Sequence, residues 1–216
     1  MDFANVRHNM VTSQIRTNRV TDPVVIGAIA ALPREAFVPK AMQSLAYRDG
    51  DLPVGGDRYL MEPMVLARLL QLVHVHPTDV VLDIGCATGY SAGVLARMAA
   101  TVIALESDPA LAKAAMAVLA AHGIDNAAVV TAPLTGGYPA QAPYDIIVFE
   151  GMVDIIPEDI RDQLAEGGRL VAMVQGNRLA TATLITRTGQ IFSRRTAFEG
   201  SIARLPGFEQ SPGFVF

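Results

Sequence analysis

The sequence predicts an α/β fold: a doubly wound, mainly parallel sheet with an N-terminal helical cap and a C-terminal antiparallel hairpin. From residue 79 onward, short apolar and β-branched runs alternate with stretches of helical period, as strands covered on both faces by crossover helices require. One such strand ends in a glycine-bracketed turn, Asp83-Ile84-Gly85-Cys86-Ala87-Thr88-Gly89, that leads straight into a helix. The last two apolar runs flank Thr188-Gly189 with no helical stretch between them, the mark of a hairpin.

Along the chain, residues 2–77 read as helical and irregular. Val11, Ile15, Val24, Ile26, Ile29 and Leu32 recur at roughly helical intervals, and Pro33 and Pro39 break the pattern. Residues 49–57, rich in Gly and Asp, read as a loop. Pro63, suited to a first helical turn, opens an amphipathic segment that runs to about Val75. Strands are expected at residues 80–84, 102–105, 128–130, 146–149 and 170–174, and helices at 91–98, 110–121 and 158–164. Residues 180–186 and 190–198 complete the sheet as an edge hairpin. With no repeat or low-complexity linker, one compact unit is expected: a helical cap and substrate-side loop over 1–77, and a sheet core over 78–216.

Composition excludes several classes. The apolar stretches 64–75 and 92–100 are interrupted by Arg68 and Arg97 and fall short of the ~20 apolar residues that cross a bilayer, so no membrane partner is expected. The first residues lack a basic patch followed by an apolar run, so no signal peptide is expected. A single cysteine, Cys86, forbids an internal disulfide and suits a reducing cytoplasm. A formal charge of −4 has the wrong sign for a general nucleic-acid binder. His74 and His76 lack a neighbouring carboxylate or cysteine to complete a ligand set, so no metal is expected.

The turn after the strand at 80–84 carries the chemistry. Gly85 and Gly89 let the backbone approach a ligand, and the following helix offers unpaired N–H groups. Cys86 and Ala87 are the small residues between them. A dinucleotide fingerprint, G-x-G-x-x-G, would make room for a pyrophosphate. Here the spacing is D-x-G-x-x-x-G, and Asp83 makes little sense beside a pyrophosphate but good sense beside the cationic amino-acid end of S-adenosylmethionine. Glu106, at the end of the next strand, suits two ribose hydroxyls. Taken singly, Asp83 could cap a turn and Glu106 could start a helix; their register with two strands and the glycines favours the cofactor. Cys86 reads as a small loop residue rather than a nucleophile, since no histidine lies near it.

These residues resemble the protein-L-isoaspartate O-methyltransferases. The similarity runs through Met10-Val11-x-x-Gln14-Ile15-Arg16, Leu32-Pro33-Arg34-Glu35-Ala36-Phe37-Val38-Pro39, Ala46-Tyr47-x-Asp49 and Leu52-Pro53-Val54-Gly55. It continues through the Asp83–Gly89 turn into Tyr90, then Ala142-Pro143-Tyr144-Asp145 and Gln163-Leu164-x-x-Gly167-Gly168, and covers residues 10–175. The resemblance implies a Rossmann-like class I methyltransferase fold. It also implies methyl transfer from S-adenosylmethionine to the free carboxylate of an isoaspartyl residue in damaged proteins. Because that oxygen is already anionic, alignment and charge matter more than a base.

The chain departs from the family pattern around the transfer site. Where the family has G-x-G-Q-T-I-S-x-P, this sequence reads Gly55-Gly56-Asp57-Arg58-Tyr59-Leu60-Met61-Glu62-Pro63, so Met61 takes the serine position and Tyr59 the threonine position. Residues 131–137 contain no acid to meet an adenine amine, and Glu150 follows the fourth strand where the family has small residues. Two like charges ~4 Å apart at an effective dielectric of ~20 repel by about 4 kcal/mol. A lost serine hydrogen bond costs about 1–3 kcal/mol. Glu150 in the site would therefore be the heavier obstacle, unless it is a solvated acid at a helix start. Met61 is equally an ordinary core filler. Three functions follow: isoaspartyl repair, methyl transfer to another peptide, protein or small molecule, or cofactor binding without transfer.

Overall fold

The computed structural model describes residues 1–210. Its N-terminal segment begins with helix α1 (Phe3–Met10), capped by the Asp2 carboxylate, which accepts the Asn5 N–H at 3.1 Å. A π-helical turn, Val11–Ile15, extends it. Helix α2 (Pro23–Ala31) starts at Asp22, which accepts the Val24 N–H at 2.8 Å, with Pro23 in the first turn where its missing donor costs nothing.

Residues 49–57, expected as a loop, instead supply most of a hairpin, β1 (Leu52–Gly55) and β2 (Arg58–Leu60), paired antiparallel. Gly56 and Asp57 both take positive φ at its tip, as the tightest hairpin turn demands. Gly and Asp here signal that turn, and their density hides two short strands. Leu52, Val54, Arg58 and Leu60 point inward, while Tyr59 points out. Helix α3 (Pro63–Val73) follows, buried along most of its length.

The sheet core then alternates as expected: β3 (Val80–Ile84), α4 (Tyr90–Ala96), β4 (Thr101–Glu106), α5 (Pro109–Ala121), β5 (Ala127–Thr131), β6 (Tyr144–Val153), α6 (Glu158–Arg161) and β7 (Leu164–Val174). The expected helix 158–164 is shorter, because Leu164 already pairs with Tyr144 and the strand bulges at Gly167 and Gly168 before resuming at Arg169. Strands β8 (Ala180–Thr188) and β9 (Ile191–Gly200) form the antiparallel hairpin, turning at Gly189 with φ 60°. The sheet order is β5-β4-β3-β6-β7-β8-β9, so the chain reverses direction of growth between β3 and β6.

Both faces of the parallel strands are buried. Val81, Val102, Ala104, Ile146 and Val148 join one apolar cluster, which also takes in Ile15, Ile29 and Leu66 from the N-terminal segment. Their neighbours Leu82, Ile103, Leu105, Ile147 and Phe149 join the other. This alternation explains the continuous apolar runs in the sequence. After β9 the chain doubles back over the end of β6, where Met152 N–H donates to Ala203 at 2.9 Å and Leu205 N–H donates to Met152 at 2.8 Å. This strap had no signature in the sequence. Among the described residues, no helix is long and apolar enough to cross a membrane.

Candidate functional site

The site lies at the carboxyl ends of β3 and β4, beside the point where strand order reverses and open α/β sheets bind ligands. The turn after β3 is pinned from beneath: Gly85 and Cys86 donate their N–H groups to Leu105 at 2.8 and 3.1 Å. Gly85, Ala87 and Gly89 all have positive φ. Ala87 is the unusual one, since an L residue with a Cβ disfavours that region. Its N–H is held by Glu106 Oε2 at 2.8 Å. Glu106 Oε1 also accepts the N–H groups of Ser107 at 2.7 Å and Asp108 at 3.0 Å.

Asp83 is fully buried; its Oδ2 accepts the Ser91 hydroxyl at 2.7 Å, and its Oδ1 has no partner among the described residues. The cation facing this acid comes from the hairpin. Arg58 is 3% exposed, donates from Nη2 to the Gly85 carbonyl, and lies 3.3 Å from Glu106 Oε2. Leu205 of the C-terminal strap packs on the same spot. A Cβ added to Gly85 would fall 2.5 Å from Arg58 Nη2 and 2.6 Å from Leu205 Cδ1. The face that glycine leaves open is thus filled by the chain itself.

On the transfer side a cavity of only about 10 Å³ remains, with Asp51, Tyr59, Met61 and Glu150 among its lining residues. Glu150 does point inward: it is 8% exposed, and its Oε1 has no partner among the described residues. Met61 is buried, and its carbonyl accepts from Arg34 Nη2 at 2.8 Å. Arg34 is itself 1% exposed, donates to Ala46 at 2.8 Å, and sits 4.7 Å from the centre of the Tyr90 ring. Asp51 ties the hairpin to its surroundings, accepting the N–H groups of Glu62 and of Ala203 in the strap. Tyr59 stands at the rim, 39% exposed.

Burial dominates the electrostatics. It raises the Asp83 carboxyl to about 7, against the opposing pull of the Ser91 hydrogen bond and Arg58. It pushes Glu150 well above the usual carboxyl range, reinforced by Asp83 and opposed by Arg58 and Arg34. The Cys86 thiol is raised as well, first by burial and then by the nearby acids. A thiol needs its thiolate to react. Cys86 is therefore expected to resist Ellman's reagent at pH 8 in the native protein and to react fully in urea; rapid native labelling would show that the turn opens.

Of the residues expected from sequence, Asp83, Gly85, Cys86, Ala87, Gly89 and Glu106 come together around one turn. Met61 and Glu150 meet on its transfer side. The 131–137 segment follows β5 and reaches Glu106 through its backbone, Ala132 N–H donating to the Glu106 carbonyl at 3.2 Å. Arg58, Leu205, Arg34 and Asp51 were missed as site residues. A signal for Arg58 existed: in a strand with Leu60 inward, position 58 is inward too.

The chain as a whole has relatives. A model of the family "Protein-L-isoaspartate(D-aspartate) O-methyltransferase (PCMT)" matches residues 5–199. A protein named protein-L-isoaspartate O-methyltransferase from Methanoregula boonei is 39% identical over 194 residues, covering 90% of this chain and 89% of that protein. Protein-L-isoaspartate O-methyltransferase 1 from Rhodopseudomonas palustris (strain HaA2) is 40% identical over 187 residues, covering 86% and 76%. A solved structure named protein-L-isoaspartate O-methyltransferase superimposes with a TM-score of 0.80 at 26% identity, over 93% of this chain and 66% of that one. The chain therefore belongs to the protein-L-isoaspartate O-methyltransferase family.

Proposed function

We propose that the chain is an S-adenosylmethionine-dependent methyltransferase acting on an isoaspartyl carboxylate of a peptide or protein in the cytoplasm, with the cofactor held at Asp83, the turn through Gly89, and Glu106. The observation that carries this is Asp83: a buried acid with an unpartnered oxygen at the switch point of a family sheet. The names of the Methanoregula and Rhodopseudomonas relatives support the substrate class.

The cofactor, when bound, supplies a methyl group on a cationic sulfur. Asp83 suits the charge of such a ligand, and its raised proton affinity falls as a cation approaches. The donor and acceptor types fit; the space does not while Arg58 and Leu205 lie against Gly85. On the acceptor side, burial raises the proton affinity of Glu150, which weakens the repulsion expected from an ionised acid. A neutral carboxyl can donate a hydrogen bond to a carboxylate, the service that Met61 no longer provides. The alternative acceptor is a neutral or cationic nucleophile, favoured by the two acids, Asp51 and Glu150, that line the transfer-side cavity.

The test is transfer of labelled methyl from S-adenosylmethionine to an isoaspartyl peptide and to its aspartyl isomer. A base-labile ester on the isoaspartyl peptide alone is expected. Glu150→Ala should lower that rate by roughly tenfold, as loss of one buried hydrogen bond worth about 1–2 kcal/mol implies. A higher rate in Glu150→Ala would mean that the acid is charged and obstructive. Ester on neither peptide would leave two readings, transfer to the other class of nucleophile or cofactor binding without transfer.

A further inference from the structure

Arg58 has no part in the chemistry proposed above, yet its charge is buried and held from two sides. Its guanidinium touches the Gly85 carbonyl and the Glu106 carboxylate, and its Nη1 is buried without a partner among the described residues. Asp83 and Glu150 feel its charge as well. These acids are the ones that a cationic ligand would meet. The volume agrees with the charge. Leu205, 1% exposed, closes the other half of the Gly85 face, and the adjoining cavity between Arg58, Met61 and Glu150 holds about 10 Å³. Drug-sized ligands occupy pockets of roughly 300–1,000 Å³.

We infer that Arg58 is an internal cation that occupies the cofactor crevice and competes with S-adenosylmethionine for the acids around Asp83 and Glu106. The inference rests on the cofactor site proposed above. Two like charges cannot share this ring of acids without repulsion, and two groups cannot share the face of Gly85. Ligand binding therefore requires the hairpin Leu52–Leu60 to withdraw Arg58 and the strap to lift Leu205. The two are mechanically linked, because Asp51 at the foot of the hairpin holds the Ala203 N–H of the strap. The apparent affinity is lowered by the fraction of molecules that remain closed, as for any binding-competent minor state.

The experiment is calorimetric titration of the full chain and of Arg58→Gln with S-adenosylhomocysteine, with amide hydrogen exchange followed over residues 52–60 and 201–205. Glutamine stands at this position in the family segment quoted above. Arg58→Gln is expected to bind at least about tenfold more tightly than the native chain. Ligand should also speed exchange in both segments of the native chain. Native binding as tight as that of the variant, or binding with unchanged exchange, overturns the inference and leaves the cofactor site standing. No binding by either folded protein removes the cofactor site and the inference together. Should Arg58→Gln fail to fold, Leu205→Ala takes its place: tighter binding than native supports the inference, and equal or weaker binding overturns it.

Discussion

Replacing Glu106 with alanine is expected to cost about 3–5 kcal/mol of folding stability, the usual loss when one partner of a buried ion pair is removed. Glu106 is 0% exposed and serves two ends of the site at once. It accepts the backbone N–H groups of Ala87, Ser107 and Asp108, and it faces the buried Arg58 guanidinium at 3.3 Å. Alanine would leave a buried cation uncompensated and three donors without their acceptor, and would release Ala87 from its left-handed conformation. Against a typical total of about 5–15 kcal/mol, the variant would stand near unfolding. Urea melts of Glu106→Ala and Glu106→Gln measure this, with the amide intermediate because it keeps one acceptor oxygen. A loss under about 1 kcal/mol in the alanine variant would mean that backbone pairing alone holds the turn. Any weakening of ligand binding in that variant has to be separated from this loss before it is ascribed to a ribose contact.

The strands, the Asp83–Gly89 turn and the edge hairpin were legible because each has a local cause. Buried parallel strands must be apolar on both faces, and tight turns need glycine or its few substitutes. The positions of Asp83 and Glu106 at adjacent strand ends were legible from the register of the apolar runs that precede them. Their present partners were not. Arg58 reaches Glu106 across 48 residues of sequence, and Leu205 reaches Gly85 across 120, on segments whose composition names no element. A loop-like run of Gly and Asp concealed the inward register of Arg58, and the strap is set by two backbone bonds to Met152 that leave no pattern. Glu150 was recognised as a position, but the rise in its proton affinity depends on burial that only the packed structure supplies.

That packing gives the protein an unusual pH dependence: stability is expected to fall between pH 5 and pH 8. Asp83 is raised from its ordinary 3.8 to about 7, chiefly by burial. Asp51 and Glu150 move in the same direction for the same reason, and Glu62, partly buried beside Asp49, rises to about 7. The folded chain therefore keeps protons that the unfolded chain has released over the window from about pH 4 to 7. Rising pH favours the state that binds fewer protons, so each group's contribution is intact below its unfolded value and is lost as pH climbs through its folded value. For Asp83 the rise is worth about 4 kcal/mol, at 1.36 kcal/mol per pH unit, as an order of magnitude. The acids share one cluster with Arg34 and Arg58, so their contributions do not add. Asp154, lowered by the Gln210 backbone N–H and Arg204, acts with the opposite sign, but only at acidic pH below its ordinary value. Urea unfolding at pH 5, 6, 7 and 8 should give a free energy that declines across the series, most steeply between pH 5 and 6 and more gently above 7. Asp83→Asn, which cannot ionise, should flatten that slope and gain on the native chain as pH rises. A native free energy that is level or increasing from pH 5 to 8 would mean that Arg58 and Arg34 keep the buried acids ionised, and that the cluster is held by ion pairs rather than by protons.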